Sequence, residues 1–466
     1  MAFIDRFTGT NSDPWDSTKW PTTGDSGGTT NTYDIQGNEG HSYIVGGVDD
    51  YNSFVSSSGQ VQDGDITILI DPDSSNHNQW LYLCFRSSGE IGGSAAGRPA
   101  TAYYYRVHLG SSQTGSTDLW YRRISDSESA TLATGSASQR STGGRFYVRA
   151  QVEDSGSDTI LRSKEWNEGD QEASSWDIEY TDTSPGALHG ATGVMQLVHR
   201  LYQSSNNSEI HIDNLVFNDM TATGYVKQVS GYMGADPATT VTVSTSQGQP
   251  SLWTTPTSGN TLIALLVSGT TISSFSGWTQ EYSAGTGPYR YVYTKTSAGT
   301  ESTITATFGA SEDHMMAVYE VVGDVVFDVA AGANGSSTTS VASGSTGTLA
   351  KANSVAFAMG HHWSVDNHTD FDSDFYKDGD YDSGGESWLY FNGFAKKYLE
   401  ATTALNVTAS WSSSVSGQSM VAVYSLVTAT KVWNGSSWIT GVPKVWNGSS
   451  WITGVPKVWN GSSWVP

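Results

Sequence analysis

Three segments of the chain alternate basic residues with aromatic ones, a pattern that can build a sugar-binding surface. Residues i and i+2 of a strand share a face, and carbohydrate sites combine aromatic faces with planar polar groups. The residues concerned are Tyr104, Arg106 and His108, then Trp120 and Arg122, then Tyr147 and Arg149. If their strands adjoin, a concave arginine–aromatic surface results. The alternative is an ordinary solvated sheet face on which arginine stems cover aromatic rings.

Carboxylates are concentrated between residues 366 and 386. Asp370, Asp372 and Asp374 alternate as in the first half of a calcium-binding loop, but an EF-hand would need glycine and glutamate where Phe375 and Tyr381 stand. A looser calcium site stays open, because hard cations accept clustered carboxylates. Nearby histidines could instead hold a transition metal. The alternative without any metal is a solvated loop between strands.

The last 36 residues repeat a short tryptophan-rich unit. KVWNGSSWITGVP occurs twice, from Lys431 and from Lys444, and a shortened copy runs from Lys457 to Pro466. In each 13-residue unit Val-Trp suits the first strand, Asn-Gly supplies a turn with positive φ, and Trp-Ile suits the second strand. The unit therefore predicts a small β-hairpin. One hairpin cannot bury two indoles alone, which predicts self-association or docking through these residues; a flexible tail and an engineered tag are the alternatives. The tryptophans are Trp433, Trp438, Trp446, Trp451, Trp459 and Trp464.

These repeats resemble the tryptophan-rich repeats found at the ends of structural proteins of tailed bacteriophages, particularly minor tail and fibre proteins. The resemblance covers only these 36 residues. It implies a virion component and, by analogy with fibres, a homo-oligomer, for which a trimer is the expectation.

Short alternating apolar segments recur along the rest of the chain, separated by Gly, Ser and Asp clusters. With 51 glycines and 12% aromatic residues, this pattern predicts an all-β protein. We expect a jelly-roll β-sandwich over 1–220, a second β-sandwich over 225–430, and the hairpin repeats over 431–466. The segments near Phe3 and Ile210 show the same alternation of apolar and polar residues, so strands from both ends of the first unit should pair.

The first unit resembles the concanavalin-A-like lectin/glucanase superfamily. The resemblance rests on FIDRFTG with Trp15 and Trp20, on LRSKEWNEGDQEASSW at 161–176, and on EIHIDNLVF at 209–217. In the middle element Lys164, Trp166, Gly169, Glu172 and Trp176 fit the family pattern, whereas Ala173 replaces its proline. The resemblance implies a jelly-roll sandwich and a calcium ion near the paired termini, for which Asp5 and Asp213 are candidates. Hydrogen bonding to turns is the alternative for both.

The hydrolytic branch of that superfamily carries a Glu-x-Asp-x-x-Glu strand, which this sequence lacks. Retaining glycosidases need two carboxyl groups about 5 Å apart. We therefore expect no catalytic residue and no enzyme activity. A polysaccharide-degrading glycoside hydrolase remains an alternative, with Glu165, Glu168, Asp177 and Glu179 as its candidates.

The second unit contains the continuous apolar run TLIALLVSG, which suits a strand covered on both faces. DHMMAVYEVVG and QSMVAVYSLV look like internal echoes of each other. The unit resembles a module of phage and bacterial surface proteins, a resemblance that implies no catalytic activity.

Charge and composition exclude several functions. The formal net charge is −23, and the last 36 residues hold three lysines and no acid, so residues 1–430 carry −26. Such a surface repels nucleic acid and anionic membranes. Cys84 is the sole cysteine, which excludes an intrachain disulfide, and its setting WLYLCF predicts a small buried residue. MAFIDRF has no features of a signal peptide, so we expect synthesis in a host cytoplasm.

The sequence thus favours a phage virion protein of the minor tail or tail-fibre kind, presenting β-sandwiches on the tail or capsid surface for adhesion to host glycans. Other virion proteins would be its partners. A capsid-decorating or head-fibre protein without a receptor role is the second hypothesis, and the glycoside hydrolase is the third. Calcium is the one cofactor the sequence suggests.

Overall fold

The computed structural model is almost entirely β, as predicted, with a 3₁₀ turn at Gly186–Leu188. It describes residues 3–465 except 6, 8, 26–30, 46–49, 73–78, 90–98, 100, 110–118, 126–127, 136–143, 169, 171, 173–174, 202–206, 221–223, 234–237, 247–248, 251–252, 286–287, 313, 353, 363–368, 372–374, 382–390, 400, 427–429, 434–437, 442–443, 447–450, 454–457 and 460–463. Only the backbone is described at 4, 119–125, 128–130, 233, 249–250, 370, 380–381 and 391–392, and in the strands after 429. Among the described residues, no helix has the length and apolarity needed to cross a bilayer.

Fifteen strands form the first part of the molecule. They are β1 (Phe3–Asp5), β2 (Thr22–Asp25), β3 (Thr32–Gln36), β4 (Glu39–Ile44), β5 (Tyr51–Val55), β6 (Gly64–Pro72), β7 (Gln79–Ser87), β8 (Ala102–His108), β9 (Leu119–Ser125), β10 (Glu128–Gly135), β11 (Phe146–Ser155), β12 (Asp158–Asn167), β13 (Ile178–Asp182), β14 (Val194–Leu201) and β15 (Ser208–Asp219).

These strands make two antiparallel sheets. The eight-stranded sheet has the order β13-β12-β11-β6-β15-β4-β3, with β1 also on β15, and the seven-stranded sheet has the order β10-β9-β8-β7-β14-β5-β2. Their inner faces share one apolar core, because alternate residues of each strand point inward. Ile66, Ile68 and Ile70 of β6 belong to this core, as do Leu81 and Leu83 of β7. The core also contains the predicted apolar set of β11, which is Phe146, Val148, Ala150 and Val152.

The two ends of this first part meet in one sheet, as the sequence predicts. β1 pairs antiparallel with β15, with Phe3 opposite Phe217. The indole of Trp20 lies edge-on to the Phe3 ring, at 5.3 Å between centroids, and donates a 2.6 Å hydrogen bond from Nε1 to Asp5 Oδ2. The N-terminal aromatic residues therefore close the core beside the paired termini.

Fifteen further strands follow. They are β16 (Val226–Met233), β17 (Ala238–Ser244), β18 (Gln249–Pro250), β19 (Thr261–Ser268), β20 (Ile272–Ser274), β21 (Thr279–Ala284), β22 (Tyr289–Thr296), β23 (Thr303–Glu312), β24 (His314–Val321), β25 (Val325–Ala342), β26 (Ser354–His362), β27 (Asp370–Phe371), β28 (Tyr376–Tyr381), β29 (Phe391–Leu399) and β30 (Thr408–Leu426). Among described residues, no strand pair joins this set to β1–β15. The domain limits themselves stay predictions.

This second part has three sheets rather than the two of a simple sandwich. A six-stranded sheet β18-β16-β24-β19-β22-β21 lies between a three-stranded sheet β17-β23-β20 and a sheet β25-β30-β26-β29-β28, to which β27 is added. β19 shows the consequence: Ile263 and Leu265 belong to one core, and Leu262 and Leu266 belong to the other. The strand is buried on both faces, as its continuous apolar run predicts.

The two sequence echoes occupy matching places in facing sheets. β24 and β30 each have a neighbour on both sides, and Met315, Tyr319, Met420 and Tyr424 lie in the same core. The repeated Met-x-Ala-x-Tyr spacing puts these side chains on the inward face of each strand, since the period of a strand is two.

The C-terminal repeats form three separate two-stranded sheets. Their strands are β31 (Thr430–Trp433), β32 (Trp438–Gly441), β33 (Lys444–Trp446), β34 (Trp451–Thr453), β35 (Val458–Trp459) and β36 (Trp464–Val465). The register places the two tryptophans of each unit opposite one another, with Trp433 against Trp438 in the first. The Asn-Gly turns and the side chains lie outside the described residues.

Candidate functional site

The outer face of the seven-stranded sheet carries a cluster of aromatic rings and guanidinium groups. Leu81 and Leu83 of β7 point into the core, so Trp80 and Tyr82 point outward, and the same alternation turns Tyr104 and Arg106 of β8 outward. The register sets Arg106 opposite Tyr82 and sets Arg200 of β14 opposite Trp80. We call Trp80, Tyr82, Tyr104, Arg106 and Arg200 the arginine–aromatic face.

Two guanidinium groups share one indole in this face. Arg106 Cζ lies 4.3 Å from the centroid of the Trp80 ring, and Arg200 Cζ lies 5.4 Å from it. Cation–π attraction and the delocalised charge of arginine favour this arrangement. Arg200 also donates a 3.1 Å hydrogen bond from Nη1 to the hydroxyl of Tyr82. Tyr82 packs edge-on against Tyr104, at 5.2 Å between centroids. The two guanidinium groups are therefore held in fixed positions against the aromatic rings.

Burial differs among the members of the face. Trp80 is half-buried, whereas Arg106 and Arg200 are 5% and 8% exposed. The described members of this small apolar cluster all belong to the seven-stranded sheet. Trp80 is therefore the member that a ligand reaches first, and the guanidinium groups behind it fix the indole. Cys84, on the same face, is fully buried as predicted.

The structure brings part of the predicted set together here. Tyr104, Arg106 and His108 lie on β8, and the register places Arg122 and Trp120 of β9 opposite Tyr104 and Arg106. The side chains of Trp120 and Arg122 lie outside the described residues. Sequence reasoning missed Trp80, Tyr82 and Arg200. The alternations Trp80-x-Tyr82 and Val198-x-Arg200 are the signal that could have found them.

The concave surface required the strand of Tyr147 and Arg149 to adjoin these strands, and the structure does not meet that condition. β11 belongs to the eight-stranded sheet, between β12 and β6, so the core separates it from β8. Alternation had fixed which residues share a face of β11, but not which sheet the strand joins. Tyr147 stacks on Trp166, its neighbour on β12, at 5.4 Å between centroids.

Arg149 lies in a buried charge network instead of a sugar surface. It donates from Nη2 to Asp65 at 2.6 Å and from Nη1 to Glu172 at 2.8 Å. Burial alone would lower the pKa of Arg149, but these two carboxylates more than offset it and raise the pKa further above its usual range. Arg149 therefore stays charged and ion-paired.

The lysine–tryptophan element of the superfamily resemblance belongs to the same network. Lys164 Nζ lies 2.7 Å from Glu172 Oε1 and 4.7 Å from the centroid of the Trp176 ring. The network borders a cavity of about 60 Å³ that Tyr376 and Lys396 of the second part also line. The lysine–tryptophan element thus ties the loop after β12 back onto the sheet.

The carboxylates considered for glycoside hydrolysis do not share a face. Glu165 points between the sheets, where it is fully buried and accepts a 3.2 Å hydrogen bond from the Tyr105 hydroxyl. Glu179 pairs with Arg162. Arg162 is three residues before Glu165 on β12 and therefore lies on the opposite face of the sheet. Asp177 accepts a hydrogen bond from the backbone N–H of Glu165. Glu168 lies 3.4 Å from Arg145 on the outer surface.

The predicted calcium ligands fall into two groups. Asp5 is buried and accepts hydrogen bonds from the backbone of Phe7 and from the indole of Trp20, and its Oδ1 lies 3.4 Å from Lys19 Nζ. These contacts give Asp5 the hydrogen-bonding role that is the alternative to calcium. Asp213 lies on β15, and its calcium role stays a prediction. Asp372, Asp374 and the side chain of Asp370 lie outside the described residues.

Comparisons with known proteins find solved structures that resemble part of this chain at low identity. No protein-family model matches the chain, and no curated protein matches it. Solved structures that resemble it include the carbohydrate-binding module CBM66 of Bacillus subtilis, at 12% identity over 45% of this chain and 97% of that one, with a TM-score of 0.27. The carbohydrate recognition domain of Emp46p gives 9% identity over 47% and 95%, with a TM-score of 0.33. The CBM2 module of the evolved Dit protein of Lactobacillus casei BL23 phage J-1 gives 7% identity over 46% and 96%, with a TM-score of 0.28.

These neighbours are β-sandwich modules, and the likeness covers under half of this chain.

Proposed function

We propose that this protein binds glycans through the arginine–aromatic face and serves as a minor tail or tail-fibre-like subunit of a phage virion. The stack of Arg106 and Arg200 on Trp80 carries the proposal. Aromatic faces pack against the apolar faces of sugar rings, and guanidinium groups donate paired hydrogen bonds to carboxylate and phosphate groups. Two guanidinium groups on one indole favour glycans that bear carboxylate or phosphate groups, and this local attraction has to outweigh the repulsion from the −26 charge of residues 1–430.

Fixed geometry supports binding at this face. The indole of Trp80 is held by two guanidinium groups, one of which is itself hydrogen-bonded to Tyr82. A pre-positioned ring loses little conformational entropy on binding, which raises affinity for a given contact area. Single sugar sites of this kind bind weakly, so presentation of several copies on one particle would supply the avidity.

The virion assignment has separate support. It rests on the resemblance of the tryptophan-rich repeats to the ends of phage structural proteins and on the two large β-sheet units that precede them. Other virion proteins and copies of the same chain would be its partners.

The test is binding of the full-length chain to purified acidic wall or capsular polysaccharides of candidate hosts, measured by biolayer interferometry. Trp80→Ala should weaken binding about tenfold or more, because truncating a central aromatic contact typically costs over 1 kcal/mol. Trp278→Ala is the matched control, since Trp278 is a half-buried indole that stacks on Phe275 in the second part. The control should bind like the unmodified chain.

Other outcomes would replace the proposal. Reducing ends released from the polysaccharide would establish a hydrolase. Failure to bind any host glycan, together with a particle map that places the chain on the capsid, would establish a decoration protein without a receptor role. Equal loss of binding in both tryptophan variants would exclude the arginine–aromatic face as the site.

A further inference from the structure

Two histidines and three carboxylates meet on the outer face of the eight-stranded sheet. Asp34 of β3 lies opposite His41 of β4, and His41 lies opposite His211 of β15. Glu209 is two residues before His211 on β15, and Glu39 is two residues before His41 on β4, so all five side chains point to one side of the sheet. We call them the histidine cluster.

The two imidazoles converge on one carboxylate oxygen. Nε2 of His41 and Nε2 of His211 each lie 3.2 Å from Oε1 of Glu209. The ring centroids are 5.1 Å apart, and the candidate ligand atoms all lie within 4.8 Å of one another. Tetrahedral zinc with bonds of 2.0–2.2 Å holds neighbouring ligand atoms about 3.3–3.6 Å apart. The nitrogen–oxygen distances are therefore close to those of a zinc site, and a small rotation of the rings would complete it.

The far side of each imidazole faces a second carboxylate. His41 Nδ1 lies 2.6 Å from Asp34 Oδ1, and His211 Nδ1 lies 3.5 Å from Glu39 Oε2. Glu39 is in turn held by Arg145, whose Nη2 lies 2.6 Å from its Oε1. In metal sites a carboxylate on the non-ligating nitrogen fixes the histidine tautomer and directs the other nitrogen to the ion. His41 has this hydrogen bond, whereas His211 Nδ1 faces Glu39 at 3.5 Å without one.

Burial supports a bound cation. His41 is only 8% exposed, and its Nε2 is buried without a hydrogen bond. A buried imidazole nitrogen that points at a carboxylate, within a surplus of negative charge, is costly unless a proton or a metal ion compensates it. Glu209, whose side chain is 42% exposed, leaves a route for an ion to enter.

We propose that the histidine cluster is a zinc site, with Nε2 of His41, Nε2 of His211 and Oε1 of Glu209 as protein ligands and the remaining position open to water. Two imidazoles with one carboxylate suit a borderline ion such as Zn²⁺ better than Ca²⁺, which takes six to eight oxygens. Asp34 and Glu39 orient the histidines without touching the ion. The site lies on the other sheet from the arginine–aromatic face and does not depend on glycan binding.

The experiment uses the full-length chain, stripped with a chelator and titrated with ZnCl₂ by isothermal calorimetry. One equivalent of zinc should bind. His211→Ala and Glu209→Gln should each weaken binding about tenfold or more, and Asp34→Asn should have a smaller effect in the same direction. His189→Ala is the matched control, because His189 also lies near a carboxylate, Asp154, at 3.2 Å, but away from this cluster.

Cobalt provides a second readout that a purely electrostatic contact would not give. Co²⁺ bound through nitrogen and oxygen in a four-coordinate site should produce strong visible absorption, which zinc should displace and which His211→Ala should abolish. His41 is buried, so His41→Ala could unfold the sheet; His211 and Glu209 are more exposed and carry the test, with far-ultraviolet circular dichroism to confirm folding.

Three results would overturn the proposal. They are zinc binding that is no stronger than in the His211→Ala variant, equal loss of binding in His189→Ala, and loss of zinc binding only when the variant protein is unfolded. None of these results bears on glycan binding, which remains separately measurable in the same variants.

Discussion

His199 shows how one buried titratable residue couples the first sandwich to pH. It lies between the sheets, fully buried, and is hydrogen-bonded to Ser42 Oγ at 2.9 Å and Ser208 Oγ at 2.8 Å. Burial, and secondarily the charge of His41, lower the pKa of His199 to about 3. The imidazole is therefore neutral in the folded protein over most of the acid range.

The pH dependence follows from that shift. Between the ordinary histidine pKa of 6.5 and the folded value of about 3, the unfolded chain binds a proton that the folded chain does not. Stability that is fully present above pH 6.5 is therefore lost as the pH falls, at about 1.4 kcal/mol per pH unit. Urea unfolding at pH 7, 6, 5 and 4 should show this slope, and His199→Asn should flatten it. His189→Asn, at a side chain that is 32% exposed, controls for the loss of a histidine in itself, and an unchanged slope in His199→Asn would refute the assignment.

At the scale of the element, the loop between β12 and β13 is held to the sheet by ion pairs between side chains as well as by its backbone. Glu172 contacts both Lys164 and Arg149, at 2.7 and 2.8 Å. Burial alone would raise the pKa of Glu172, but the two cations outweigh it and hold the pKa well below its ordinary value of 4.5. The carboxylate thus stays ionised down to strongly acid pH.

Replacing Glu172 with glutamine should destabilise the first part by about 3 kcal/mol at neutral pH, because buried Lys164 loses its carboxylate partner and Arg149 keeps only Asp65. Glu179→Gln is the matched control: Glu179 pairs with Arg162 but its side chain is 59% exposed, so the expected loss is about 0.5 kcal/mol. Because the folded pKa is depressed, the difference between wild type and Glu172→Gln should be full above pH 4.5 and shrink below it. Urea midpoints measure both effects, and equal losses in the two variants would contradict the buried-pair interpretation.

The burial pattern of a strand was predictable where it follows from the order of residues within that strand. The continuous apolar run of β19 predicts a strand covered on both faces, and the alternation of β11 predicts its inward set. Sheet membership was not predictable, because Arg149 and Arg106 show the same local alternation on different sheets. The histidine cluster was missed for a related reason. Glu39-x-His41 and Glu209-x-His211 are unremarkable in isolation, and only the pairing of β4 with β15 brings them together.

At the scale of the whole molecule, the repeats differ from the rest of the chain in charge and in composition. The part before the repeats is strongly acidic. The last 36 residues contain three lysines, no acidic residue and six tryptophans. The three hairpins have strands of two to four residues, and each pairs only within its own unit among the described residues. Isolated two-stranded hairpins are marginal in water, so stable hairpins need contacts beyond their own two strands.

Self-association through the repeats would supply those contacts, and a truncated chain ending at Thr430 tests it. We expect the full-length chain to sediment as an oligomer, with a trimer as the expected state, and the 1–430 chain to sediment as a smaller species.

Two mechanisms could hold the tails together: indole burial, or attraction between tail lysines and the acidic part of another copy. Replacing Lys431, Lys444 and Lys457 with glutamine separates them, because it removes the charge and keeps all six indoles. If the oligomer survives this change and is insensitive to salt, indole burial is the cause. If the 1–430 chain keeps the stoichiometry of the full-length protein, the repeats are not the assembly element, and docking onto a different protein becomes the hypothesis for their role.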